Sequence, residues 1–257
     1  MSSVDQPFDL TAFDLTGRRA VVTGGGTGLG RAITTRLAAA GAEVIIASRR
    51  PPENPEELGS RVHHLVHDVT DTAAAADLAT HIAEQYGPVE ILVNNAGNHV
   101  KKPFLDMTVD EFTSVLNVHL TGAFAMTQAL APGMRELGRG SVINLASMTS
   151  YIGMPSVVGY STAKAGVLGL TQSLACELSP FGIRVNAVAP GWIDTPMFRA
   201  ATDADPQRKA KILDRTPMGR VGTPDDVGHA VVYLCSPAAA FVSGVTLPVD
   251  GAALNGF

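Results

Sequence analysis

Residues 18–41 read RRAVVTGGGTGLGRAITTRLAAAG, and their order decides the kind of fold. RRAVVTG (18–24) is a short apolar run of the length of a buried strand, and LGRAITTRLAAAG (29–41) has helical period and is closed by Gly41. Between them Gly24, Gly28 and Gly30 are spaced Gly-x3-Gly-x-Gly. Glycines let a backbone turn tightly and come close to a phosphate, while a helix N-terminus supplies amide donors and positive potential. The spacing differs from the Gly-x-Gly-x-x-Gly of the general dinucleotide fingerprint. Its place between a strand and a helix therefore carries the reading, rather than the glycines alone.

The same alternation continues outward. EVIIAS (43–48), VHHLV (62–66), VEILVNNAG (89–97), GSVINLAS (140–147), GIRVNAVAPG (182–191) and VTLPVDG (245–251) are further strand candidates. Helical patterns lie at about 72–86, 108–137, 156–179 and 223–236. Strands apolar on both faces that alternate with helices imply a parallel sheet covered on both sides, an α/β fold. No linker, repeat or low-complexity tract divides the chain, so 1–257 is expected to be one domain. Two stretches are irregular. RRPPENPEELGSR (49–61) carries three prolines and leaves room for one or two helical turns at most. Residues 195–216 are polar, flanked by Pro196 and Pro217, and follow a strand end, where a substrate lid would sit.

Composition narrows the classes. Hydrophobic residues are 46 % and charged residues 17 % of the chain, enough for a sizeable core. A net charge of −5 argues against a nucleic-acid surface. Cys176 and Cys235 stand alone, without metal or redox spacing, which fits a reducing, cytoplasmic setting. The N-terminus lacks the charged-then-apolar layout of a signal peptide. No run approaches the roughly 20 apolar residues of a membrane span.

Four motifs in order carry a resemblance: the glycine turn, NNAG (94–97), Tyr160 four residues before Lys164, and PGWIDT (190–195). Together they resemble the short-chain dehydrogenase/reductase family, from about residue 15 to 252. The resemblance implies a single Rossmann-type, doubly wound parallel sheet of about seven strands. It implies that Gly24, Gly28, Leu29 and Gly30 line the pyrophosphate of NAD(P), and that Asp68 and Val69 flank the adenine. Asn94, Asn95, Ala96 and Gly97 would hold the fourth strand against the adenosine ribose. Pro190, Gly191, Ile193 and Thr195 would clasp the nicotinamide carboxamide. Where NAD-selective relatives usually carry Asp, this chain has Ser48, followed by Arg49 and Arg50. Arginine attracts a ribose 2′-phosphate that an acid repels, so NADP(H) is preferred over NAD(H); a solvated arginine pair is the other reading.

On a helix, residues four apart share a face, so Tyr160 and Lys164 can enter one site. A free phenol titrates near pH 10, and an ammonium beside it favours the phenolate. The resemblance adds Ser147, which would hydrogen-bond the substrate oxygen. Tyr160 would then exchange the proton, and Lys164 would lower the tyrosine pKa and bind the nicotinamide ribose, with no metal required. One position departs from the pattern: where many relatives have asparagine in a water relay, VLNVHLTGAF (115–124) has His119. Asn117 lies about 200° around the helix and cannot stand in. With an ordinary pKa near 6.5, His119 is expected to be a pH-sensitive relay member, or else a structural histidine.

In HHLVH (63–67), His63 and His67 share a strand face and His64 points away, so no metal set forms. Lys101 and Lys102, in the loop NHVKKP after the fourth strand, could attract an anionic substrate, as in related sugar-acid dehydrogenases. His99, Trp192 and Met197 are expected to line the substrate pocket beside Ser147. Small residues Ala163, Ala165, Gly166 and Gly169 permit close helix packing across a two-fold axis, as in family tetramers or a dimer. The expected activity is an NADP(H)-dependent alcohol/carbonyl oxidoreductase acting on a small molecule, a sugar acid or polyol. The alternatives are a 3-oxoacyl thioester reductase and, from His119 alone, a nucleotide-binding sensor.

Overall fold

Unbroken Val/Ile runs must be covered from both sides. Strands β1 (Arg19–Thr23), β2 (Glu43–Ser48), β4 (Ile91–Asn94) and β5 (Gly140–Leu145) are accordingly buried along almost their whole length. In the computed structural model, which describes residues 9–203 and 205–256, they join β3 (Val62–Val66), β6 (Ile183–Pro190) and β7 (Thr246–Val249). All seven are parallel, in the order β3-β2-β1-β4-β5-β6-β7. Helices α1 (Gly28–Ala39) and α8 (Pro224–Cys235) cover one face, where Ile33, Leu37, Val227 and Val231 meet Ala20 and Val22. On the other lie α2 (Ala75–Tyr86), α4 (Gly122–Leu137) and α5 (Val158–Leu178), packing Ile82, Leu130, Met134 and Ala175 over Val21 and Leu92. Each of the buried Val, Leu, Ile and Met side chains among them contributes about 1.5–3 kcal/mol. Helix α3 (Val109–Leu116) lies against α5.

The chain runs outward through β1, β2 and β3 and then returns to lay β4 beside β1. Such a reversal opens a crevice at the carboxyl ends of the two strands, where ligands of open α/β sheets bind. Beneath the crevice a polar ladder crosses the apolar core. Asn94 Nδ2 donates to Asn144 Oδ1 at 2.9 Å and to Thr127 Oγ1 at 3.1 Å, and Asn144 Nδ2 donates to Thr171 Oγ1 at 3.0 Å. These residues join β4, β5, α4 and α5. At the opposite, amino end of the sheet, the buried carboxylate of Glu90 receives Arg139 Nε at 2.9 Å and Nη2 at 3.2 Å.

Three sequence expectations change. The helical pattern at 108–137 is not one α-helix: a π-helical turn, Asn117–Thr121, separates α3 from α4. Residues 195–216 hold two short helices, α6 (Pro196–Thr202) and α7 (Pro206–Asp214). The prolines of this stretch open its helices, since a first-turn residue needs no N–H partner, and Thr195 caps α6 by accepting from Phe198 N at 3.2 Å. His67 lies past the end of β3, whereas His63 meets Glu43 at 3.2 Å and His64 reaches Ser48. Among the described residues no cluster could hold a metal. The 49–61 connection keeps to one turn, Pro55–Leu58.

Replacing Asn144 by Leu cuts the ladder, leaving Asn94 with only its α4 partners and taking from Thr171 Oγ1 the donor it receives in the core. Urea unfolding should show a loss of about 2 kcal/mol, whereas an exposed control on α5, Gln172→Ala, should stay within about 0.5 kcal/mol of the parent.

Candidate active site

At the switch point the ends of β1 and β4 are clipped together. Thr23 Oγ1 accepts from Asn95 N and Ala96 N, both at 3.0 Å. Asn95 Nδ2 donates to Thr23 O at 2.9 Å and Gly24 O at 3.1 Å. The two asparagines of NNAG thus divide their work: Asn95 closes the crevice, and Asn94 anchors the ladder below it. Gly24 and Gly28 have φ of 64° and 53°, the left-handed region glycine tolerates. A Cβ on Gly30 would stand 2.2 Å from Gly24 O and 2.5 Å from Asn95 Nδ2. Thr27 precedes α1 without a side-chain cap bond, leaving the amides of Gly28, Leu29 and Gly30 available to an anion. This cradle, left-handed at Gly24 and Gly28, closed to a side chain at Gly30 and uncapped at the helix start, fits the pyrophosphate of a dinucleotide.

Around it, Ser48 ends β2 and donates from Oγ to Arg50 O at 2.8 Å. Arg49 Nη1 is 3.8 Å from Asp68 Oδ2, and hydrogen bonds from Thr70 hold the Asp68 carboxyl below its ordinary range. Val69 is buried against Gly122. Pro190 ends β6, and Gly191 follows so close to Asp250 that a Cβ would lie 2.6 Å from Asp250 Cα. Ile193 bridges to Gly222. Trp192 stands 6.4 Å from the ring of Phe198 in α6, and its buried indole Nε1 makes no hydrogen bond. Met197 belongs to α6, but its side chain lies outside the described residues.

The candidate catalytic groups converge from β5 and α5. Lys164 Nζ is buried and donates to Leu145 O, while Ser150 Oγ donates to Lys164 O at 2.7 Å. Ser147 follows β5 and caps the short turn Met148–Ser150; its Oγ accepts from Thr149 N and Thr149 Oγ1, both at 3.1 Å. With two donors already received, the Ser147 hydroxyl keeps its own proton to donate. Tyr160 lies one turn before Lys164, its ring centroid 5.6 Å from Nζ. Two imidazoles bracket that ring edge-on, His99 at 5.1 Å and His119 at 5.3 Å between centroids.

Electrostatics refine the sequence reading. Burial pushes the Tyr160 phenol above its ordinary value, opposed by a hydrogen bond with Ser147. The lowering expected from Lys164 does not prevail, because burial also brings the lysine down to about 7. His119 is brought down to about 3, by burial first and the Lys164 charge second, against the pull of the Asn98 carbonyl. It therefore stays neutral through ordinary pH, and the expected pH sensitivity moves from His119 to Lys164. Its Nε2 lies 2.8 Å from Asn98 O and 3.3 Å from Asn98 N; the shorter contact, to a carbonyl that can only accept, favours the proton on Nε2, and the buried Nδ1 has no partner. Burial, then Lys101, holds His99 below its ordinary value. The basic loop is weaker than expected: Lys102 Nζ is 2.9 and 3.1 Å from the two carboxylate oxygens of Glu111, and Lys101 alone stays exposed without an ion pair among the described residues. Three residues escaped the sequence reading, Thr23, Asn98 and Ser150. Only Ser150 left a signal, lying three residues after Ser147 in the spacing of a capping box.

A family model described as Enoyl-(Acyl carrier protein) reductase matches residues 24–252. Galactitol 2-dehydrogenase of Rhizobium johnstonii is 41 % identical over 246 residues, 93 % of this chain and 95 % of that protein. A 3-oxoacyl-(acyl-carrier-protein) reductase of Mycobacterium avium is 39 % identical over 234 residues, 91 % and 89 % of the two chains. Among solved structures, a gluconate 5-dehydrogenase from Burkholderia cenocepacia J2315, in complex with NADP and tartrate, superposes with a TM-score of 0.90. It is 33 % identical, and the match covers 96 % of this chain and 99 % of that one. The chain belongs to the short-chain dehydrogenase/reductase family, a family of oxidoreductases acting on alcohols and ketones.

Gly30→Ala should weaken calorimetric binding of NADP+ by more than about tenfold, since its Cβ overlaps a backbone oxygen and displaces Asn95. Lys164 also sets a slope of stability with pH. Its folded pKa, about 7, lies below the unfolded value of 10.5, so between those values the unfolded chain binds more protons and stability rises with pH. Thermal melts from pH 7 to 10 should show this rise in the parent, and Lys164→Met should remove it.

Proposed function

We propose that this short-chain dehydrogenase/reductase moves a hydride between NADP(H) and a secondary alcohol or ketone of a small, hydroxyl-rich substrate, a sugar acid or polyol. The observation that carries the reading is the meeting of Ser147, Tyr160 and Lys164 beside a glycine cradle that fits a dinucleotide pyrophosphate. The NADP(H) preference is supported by Ser48-Arg49-Arg50 and by the NADP of the Burkholderia structure. The substrate class is supported by the galactitol and gluconate dehydrogenases that the chain resembles. A second reading, a 3-oxoacyl thioester reductase, is favoured by the Mycobacterium relative and by the apolar Trp192–Phe198 contact beneath α6.

The bound nicotinamide supplies or takes up the hydride. The chain does the rest with oriented groups. The Ser147 hydroxyl donates to the substrate oxygen and stabilises charge that builds there. In the reducing direction the Tyr160 hydroxyl passes its proton to that oxygen; in the oxidising direction it takes the proton back. A phenol held up by burial keeps its proton at neutral pH, which suits reduction, and oxidation should gain as pH rises. Lys164 holds its place beside the ring and binds the nicotinamide ribose. His119 presents Nδ1 as the acceptor of a water relay that returns protons to the site. His99 and Trp192 line the substrate side, and the stretch 195–216 is assigned as its lid.

One catalytic domain spans 1–257, and its setting is a reducing cytoplasm in which Cys176 and Cys235 remain free thiols. Copies pair through α5, where Ala165 and Gly169 are exposed, into a homodimer or homotetramer.

Tyr160→Phe should lower turnover by about 10²–10⁴-fold and leave the NADP+ dissociation constant within about twofold of the parent. A panel of keto-sugar acids, polyols and 3-oxoacyl esters, followed by NADPH absorbance, names the substrate class. Turnover of the acyl esters alone would move the assignment to the second reading.

A further inference from the structure

Recognition of a ribose 2′ substituent falls at the end of β2. Ser48 stands there, yet its hydroxyl proton is already committed to Arg50 O at 2.8 Å, so Ser48 has no proton left to offer a phosphate. What it does instead follows from β3. His64 brings Nε2 to 3.2 Å from Ser48 Oγ and 3.1 Å from Ser48 O, and His67 N donates to the same carbonyl at 3.2 Å. The ring N–H is shared between the two Ser48 oxygens, which turns the hydroxyl toward Arg50. A three-part chain, from imidazole to hydroxyl to carbonyl, therefore sets the backbone from which both guanidinium groups extend. Those groups are weakly committed: Arg49 reaches only Asp68 at 3.8 Å, and Arg50 makes no ion pair among the described residues. The floor of the same corner is closed by Pro52, which packs on Gly26 so tightly that a Cβ there would meet it at 3.2 Å.

We propose that His64 is a positioning residue for the 2′-phosphate of NADP(H), acting through Ser48 to aim Arg49 and Arg50. The inference rests on the NADP(H) preference stated above. It assigns cofactor selectivity to a residue on β3 rather than to the arginines alone.

Two small probes isolate the phosphate without turnover: 2′,5′-ADP carries it and 5′-AMP lacks it. Calorimetric titration of the parent should show tighter binding of 2′,5′-ADP. His64→Leu should weaken 2′,5′-ADP about fivefold, the equivalent of one lost hydrogen bond, and leave 5′-AMP within about twofold. His64→Gln, which restores an N–H donor, should recover most of the loss. Ser48→Ala, which keeps the backbone carbonyl, should reproduce part of the defect, and combining it with His64→Leu should lose no more than His64→Leu alone. A parent without preference for 2′,5′-ADP would overturn the NADP(H) reading itself. If the parent does prefer it, equal losses on both probes, or none on 2′,5′-ADP, would overturn the role of His64 alone.

Discussion

A primary amine taken out of water must be hydrogen-bonded, neutralised or both. Lys164 meets that demand by donating to Leu145 O at the end of β5, and much of the site's arrangement follows from this contact. The helix bearing the lysine is drawn onto the strand end, and Ser150 secures it a second time through the Lys164 carbonyl. Such closeness needs small residues along α5. A Cβ on Gly166 would stand 2.8 Å from Leu120, and one on Gly159 would be 3.4 Å from Phe112. With α5 seated in this way, Tyr160 hangs over the Ser147 turn without further adjustment. The geometry of the candidate catalytic groups is thus a by-product of satisfying one buried amine.

The π-helical turn solves a neighbouring problem. A regular α-helix from 109 to 137 would set its side chains at fixed angular steps, and the extra residue per turn at Asn117–Thr121 shifts them locally. The result places the His119 ring so close against Gly97 that any side chain there would strike its Cε1 at 2.6 Å. Gly97 therefore serves the histidine as much as the crevice. His99 approaches Tyr160 from the loop that begins there, so one stretch of chain, 97–99, governs both imidazoles around the phenol.

Much of this was legible in the chain itself, for identifiable reasons. Strands buried on both faces announce themselves through apolar tracts such as EVIIAS, and the glycines mark the turn because Gly24 and Gly28 take left-handed φ and Gly30 has no space for a Cβ. Ser147, Tyr160 and Lys164 stood in order with the glycine and NNAG motifs. The two helices of 195–216 were hidden because Pro196 and Pro206 break a helix in its interior but open one at its first turn. The π turn left no trace, since its residues share ordinary helical propensities. Pairing was equally silent: nothing in NHVKKP says that Glu111 will occupy Lys102. The depth of a side chain was the last missing quantity. It is what pushes His119 to about 3 and Lys164 to about 7, and burial belongs to the assembled molecule rather than to any short motif.

Glu90 and Arg139 lie at the amino end of the sheet, a full strand length from the crevice that holds the candidate catalytic groups. The molecule therefore holds one cohesive contact at the pole opposite its candidate site, in addition to the ladder and clip that lie beneath the crevice. A lineage can rework the loops at the reactive pole to meet new metabolites while the far pole keeps the scaffold intact. For a protein engineer the far pole offers a place to harden against heat without touching the loops above the ladder, where retargeting would be done.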